Sequence, residues 1–133
     1  MKPLSCIAAL LAASGASAKV TNLPKKDVVC GNIRAFKPSD VEAAGNAALQ
    51  HKDNPIGARK YPHIYHFNRP DCGTELWGYP LLWTFPYSGG DPLLSRAIFT
   101  FVQEGGELVA RYCGTYAHKT RPDDKDFYQC KDS

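Results

Sequence analysis

The stretch SRAIFTFVQEGGELVARYC, residues 95–113, decides the fold. Ala97, Phe99 and Phe101 alternate with Arg96, Ile98 and Thr100. That two-residue period belongs to a strand whose two faces meet different surroundings. Glu104-Gly105-Gly106-Glu107 comes next, and a Gly-Gly pair reads as a hairpin turn. Residues 108–113 then return as the second strand. The stretch is therefore an antiparallel hairpin, and its neighbours are read by how they would join it.

Residues 76–83 are apolar on both faces, as a central strand would be. Residues 61–67 are rich in aromatics and read as another strand, and residues 127–129 as a last short one. The loop over residues 85–94 carries Pro, Ser and Gly-Gly. The helical signal lies ahead of these strands. Ser39-Asp40-Val41-Glu42 has the pattern of a capping box, serine first and glutamate three later. Helix-compatible residues run to about His51, with Val41, Ala44, Gly45 and Ala48 on one face. Those small residues permit close approach to a sheet. Asp53-Asn54-Pro55-Ile56-Gly57 ends the helix. Residues 20–36 read as mixed and loop-like. The layout is α+β: one N-terminal helix packed on a central antiparallel β-sheet.

Within the 133 residues, the first 18 form a unit of their own. Lys2 gives a positive start, residues 4–13 are largely apolar but too short to span a bilayer, and Ala16-Ser17-Ala18 offers small residues for cleavage. A secretory signal peptide cut after Ala18 is expected, leaving residues 19–133 as a single extracellular domain with no membrane segment. Loss of Lys2 lowers the net charge from +3 to +2, too mild for a DNA-binding tail. Cys30, Cys72, Cys113 and Cys130 remain, and in an oxidising compartment they suggest two disulfides. A zinc site competes weakly, because no two cysteines sit close enough in sequence for a metal knuckle. His63 and His66 lie on opposite faces of a strand and have no acidic partner at ligand spacing. Neither a metal nor another cofactor is expected.

The order of motifs is specific: a capped helix, Tyr61-Pro62-His63-Ile64-Tyr65, Tyr79-Pro80-Leu81-Leu82, Tyr87-Ser88-Gly89-Gly90-Asp91-Pro92, then Arg96 before an apolar strand. It resembles the secreted fungal guanyl-specific ribonucleases over residues 30–130. The resemblance implies a microbial ribonuclease-like α+β fold, with Cys30 paired to Cys130 and Cys72 to Cys113. It also implies RNA cleavage by attack of a ribose 2′-hydroxyl on its own phosphate, which needs a base, an acid and cations. Tyr61, His63, Arg96 and Phe127 match positions of that machinery. The rest departs from it. Gly78 in Leu76-Trp77-Gly78-Tyr79-Pro80 stands where the family has its glutamate, and Gly114 stands where it has its second histidine. Arg69 lies near the position of the glutamate that reads guanine, and a cation cannot accept the hydrogen bonds a guanine edge donates.

Strand alternation places Tyr61, His63 and Tyr65 on one face, where Tyr65 could stack on a base. Tyr65, His66, Arg69 and Arg96 are the candidate RNA-binding residues, although Arg96 could equally pair with an acid and hold its strand. If Gly114 faces the groove, strict alternation sends Arg111 to the core side with Cys113; a bulge near Tyr112 or a shifted register would remove that conflict. Whether the groove is open or filled by Trp83 and Phe85 stays open. The expected function is that of a monomeric ribonuclease-like secreted protein without catalysis, resembling effectors of plant-pathogenic fungi. It would bind host protein or RNA, with translocation into host cells or detection by host immune receptors as extensions. Two rivals stand beside it. One is an active, guanyl-preferring endoribonuclease with relocated groups (Glu75, His63 and His118, the last placed in a loop). The other is a non-catalytic RNA-binding module.

Overall fold

The computed structural model describes residues 19–31, 35–83, 85–122 and 125–133. The expected signal peptide, residues 1–18, lies outside the described residues.

The helix, α1, spans Pro38–His51. It starts earlier than a cap at Ser39 would allow, because Lys37 is the N-cap and Pro38 takes the first turn, where a missing N–H leaves nothing unpaired. The reciprocal acid is Asp40, not Glu42: the Lys37 backbone N–H donates to its carboxylate at 2.8 Å. Val41, Ala44, Gly45, Ala47 and Ala48 are buried. Glycine at 45 is required by the packing, since a Cβ there would lie 2.7 Å from Val20 and 3.0 Å from Phe99.

Nine strands accompany the helix among the described residues. In chain order they are β1 (Val20–Thr21), β2 (Val28–Val29), β3 (Ala35–Phe36), β4 (His63–Tyr65), β5 (Leu76–Pro80), β6 (Ser95–Glu104), β7 (Glu107–His118), β8 (Phe127–Gln129) and β9 (Lys131–Asp132). The main sheet has the order β1-β7-β6-β5-β4, with β8 also on β7. Its meander is antiparallel, as the hairpin signals, but β1 joins β7 in parallel, so the sheet as a whole is mixed. β3, β2 and β9 form a small antiparallel sheet. The described residues between 20 and 36 thus hold three short strands rather than loop alone.

β7 runs five residues beyond Cys113, to His118. The register shift against β6 falls where Phe99 pairs with Tyr112 and Ile98 with Gly114, leaving Cys113 as the extra residue. This bulge resolves the alternation conflict. Tyr112 stays in the core with Phe99, while Arg111 and Gly114 come out on one side and both line the same cleft. Two disulfides, Cys30–Cys130 and Cys72–Cys113, close the structure. The main core lies between α1 and the sheet around Phe36, Val41, Tyr79, Phe99 and Ala110. A second, smaller cluster on the opposite face gathers Cys72, Leu76, Ile98 and Cys113, with Tyr65, Phe67 and Tyr116 packed on it. The candidate site is on that second face.

Candidate functional site

Alternate residues of a strand share a face, so the run from residue 61 to 67 sets Tyr61, His63, Tyr65 and Phe67 in one row. The rings stack in sequence, with centroids 4.8 Å apart from Tyr61 to His63, 4.5 Å to Tyr65 and 5.5 Å to Phe67. Phe67 then stacks on Tyr116 of β7 at 4.1 Å. Phe127 closes the row from the side, edge-on to Tyr65 and Phe67.

Arg96 lies beneath this ladder and is fully buried. A buried guanidinium must find acceptors for its five N–H groups. Arg96 donates to the hydroxyls of Tyr65 (3.3 Å) and Tyr61 (3.0 Å) and to the carbonyls of Pro92, Leu93 and Ser95 (2.9–3.1 Å). No carboxylate among the described residues pairs with it. Its role is to tie the ladder to the loop before β6: Nη1 is shared among three carbonyls, Nε goes to Tyr65, and Nη2 donates once, to Tyr61. Burial pushes the Tyr65 hydroxyl well above its ordinary value.

Gly78 pairs directly with His63 across β4 and β5. The volume a side chain would occupy there belongs to Tyr65. A Cβ on residue 78 would meet Tyr65 Cε1 and lie 2.6 Å from Cδ1, with Ile98 Cδ1 at 3.2 Å. Gly114 is the same story on β7. Its φ of +121° is a conformation that side-chain-bearing residues rarely adopt, and a Cβ would sit 2.8 Å from Arg69 Nη1. Arg69 is held there by the Asp71 carboxylate at 3.2–3.3 Å and by donating to the Tyr116 hydroxyl at 3.3 Å. Asp71 in turn is held below the usual carboxylate range by that guanidinium. Both glycine positions therefore have their side-chain space filled by a neighbour.

His63 is half-buried between two tyrosines, and its Nδ1 is 3.4 Å from the Ile64 carbonyl oxygen. Burial lowers its pKa below 6.5, and the nearby Arg96 and Arg59 lower it further. It is thus a neutral imidazole at neutral pH, and no carboxylate among the described residues faces it. Glu75 accepts a hydrogen bond from the Trp77 indole N–H at 3.1 Å and is exposed. His118 is not in a loop: it ends β7, buried, with its ring 4.1 Å from Phe127. His66 is exposed and follows the end of β4. Trp83 does not fill the groove; it stacks on Phe36 at 5.0 Å on the core side, and Phe85 is 74% exposed. Tyr65 has both ring faces covered and is not an open platform for a base.

Among solved structures the chain is similar to a ribonuclease from Hericium erinaceus, RNase He1, with 27% identity and a TM-score of 0.54. The match covers 79% of this chain and 98% of that one. The fold is ribonuclease-like. The likeness supports a function related to that of ribonucleases, and the disulfides are compatible with an extracellular setting. No protein-family model and no curated protein sequence matches the chain.

Sequence reasoning passed over Phe67, Asp71 and Tyr116, and met Arg111 only as a conflict of alternation. Phe67 was open to detection, since it continues the alternate row from Tyr61. Asp71, two residues from Arg69, offered the acid for that cation. Arg111 and Tyr116 share this face through the bulge at Cys113, which the broken alternation between Arg111 and Gly114 suggests without fixing its place.

Proposed function

We propose that this protein is a secreted, ribonuclease-like binding protein without ribonuclease chemistry. The observation that carries this reading is the Tyr65 ring lying over Gly78. The position that would hold a general base has no side chain, and it has no room for one. Gly114 removes the second proton donor in the same way, with Arg69 in its place. Each general acid or base contributes roughly 10²–10⁴-fold to such a reaction, so a lone neutral His63 supports negligible turnover. Relocation of the carboxylate gains no support from geometry, because Glu75 is hydrogen-bonded to Trp77 and exposed; His118 does reach this face, buried behind Phe127, whose ring also meets Tyr65.

The binding partner is a host protein or RNA, in the manner of secreted effectors of plant-pathogenic fungi. Action outside the host cell or after translocation, and detection by host immune receptors, fit that role. Of the two partner classes protein is favoured, since Arg96 is buried beneath the ladder and Tyr65 is stacked on both faces. The test is incubation of the purified protein with structured and single-stranded RNA. No cleavage is expected. Cleavage by wild type that disappears in His63→Ala would overturn the proposal. RNA affinity that is tight at physiological salt and falls steeply with added salt would move the assignment to an RNA-binding module.

A further inference from the structure

One edge of β7 is incompletely covered. β1 pairs with it at Ala110 and Arg111, and β8 at residues 116–118. Between them, the Tyr112 carbonyl is capped by the Asn22 side-chain amide at 2.9 Å and the Thr115 carbonyl by the Cys130 N–H at 2.8 Å. A cleft of about 270 Å³ opens beside this gap, with Asn22, Arg69, Arg111, Gly114, Gln129 and Asp132 among its walls. It shares no residue with the Tyr61–His63–Arg96 cluster.

We propose that this cleft binds a phosphate-class oxyanion, either free phosphate or the terminal phosphate of a mononucleotide, between Arg111 and Arg69. Arg111 is the primary ligand. It is half-buried, and its one hydrogen bond to the described residues goes to the Cys72 disulfide sulfur, 3.2 Å from Nη1, a weak acceptor. No carboxylate among the described residues lies within ion-pair distance of it. A partly desolvated guanidinium with most of its donors unspent favours an anion that can accept from several N–H groups at once.

Arg69 lines the same cleft and supplies further donors, its charge being shared with Asp71. Asp71 and Tyr116 fix its orientation, which leaves one N–H on each terminal nitrogen for a ligand. Gly114 is what lets it lie there, since any Cβ would collide with Nη1. The volume suits a small ligand, being at the lower end of ordinary ligand pockets at roughly 300 Å³. Two guanidiniums also match a tetrahedral oxyanion better than a carboxylate, which has only two oxygens to share. Asp71 and Asp132 are exposed and line the same cleft, and both oppose an anion; Asp71 is engaged by Arg69 and feels the charge of Arg111, so neutralisation of Asp132, unpaired among the described residues, should tighten binding.

The experiment is an NMR titration of the whole folded protein with sodium phosphate and, separately, with a nucleoside monophosphate, at constant low ionic strength with chloride as reference. Saturable shifts are expected at the Gly114 amide and the Arg111 Nε–H. Equal affinity for both probes assigns the site to free phosphate, and preference for the nucleotide assigns it to a terminal phosphate; both outcomes support it. Arg111→Gln should weaken binding about tenfold or more, Arg111→Lys by less, and Asp132→Asn should strengthen it. Absence of saturable shifts in wild type up to about 10 mM of either probe overturns the proposal whatever the variants do. So does unchanged affinity in Arg111→Gln. Because neither His63 nor Arg96 takes part, this result and the RNA-cleavage result are independent.

Discussion

Replacing Gly78 with alanine should destabilise the protein, although alanine normally stiffens a strand favourably. On backbone grounds alone, exchanging glycine for alanine in an extended segment gains about 0.5–1 kcal/mol. Here the new methyl would lie 2.6 Å from Tyr65 Cδ1 and 3.2 Å from Ile98 Cδ1. Tyr65 cannot retreat freely, because His63 stacks on one face, Phe67 on the other, and Arg96 holds its hydroxyl. Overpacking of this kind costs about 1–3 kcal/mol, so a net loss of about 1–2 kcal/mol is expected. Tyr65→Ala alone should cost about 3 kcal/mol by emptying the same space. The double variant then has room for the methyl, and the two losses should fall short of additivity by about 1 kcal/mol or more. Urea unfolding of the four proteins at one pH measures all of this. If Gly78→Ala is neutral or stabilising, or the cycle is additive, Tyr65 does not occupy the space over residue 78. The same steric argument predicts that Gly78→Glu alone gains no RNA cleavage.

Three further outcomes follow from the geometry. Arg96→Ala should lower stability by about 3–5 kcal/mol, since it strips five acceptors and leaves a large hole, and an RNA assay on that variant would report unfolding rather than chemistry; near-wild-type stability would refute the role given to it. His63 carries a lowered pKa in the fold, so the unfolded chain takes up its proton first. Stability should therefore decline as pH drops below about 6.5, and His63→Phe should flatten that decline in denaturant melts at pH 7.5 and 5.5. Replacing Cys30 and Cys130 with alanine removes a bridge across 100 residues and should cost about 4.7 kcal/mol by chain entropy, against about 4 kcal/mol for Cys72 and Cys113 across 41; calorimetry of the two double variants gives the order.

The helix and the β6–β7 hairpin were legible because their signals are periodic: small apolar residues recur along α1, and Ala97, Phe99 and Phe101 alternate with Arg96, Ile98 and Thr100. Both disulfide pairings came through the family resemblance, which a bare count of cysteines does not replace. β1, β2, β3 and β9 were not legible, since two-residue strands exist only through their partners and carry no repeat. β7 read as ending at Cys113 because the bulge there breaks the alternation, and the same irregularity hid the placement of His118. In the site, the glycines at 78 and 114 were plain from the sequence. What fills the space above them was not, because it depends on which way Tyr65 and Arg69 lean. The capping box misled for a related reason: Ser39 and Glu42 have the right spacing, yet Pro38 fits the first turn better, and Asp40 takes the bond.

The left-handed-type backbone at Gly114 has an evolutionary consequence. A histidine placed at that point by one codon change would have to enter a conformation hostile to side chains while displacing a guanidinium anchored by an acid. Residue 78 poses a similar obstacle through the tyrosine above it. A proton-transferring side chain at either position thus requires a second substitution, at Tyr65 or Arg69, that first clears the space it would occupy.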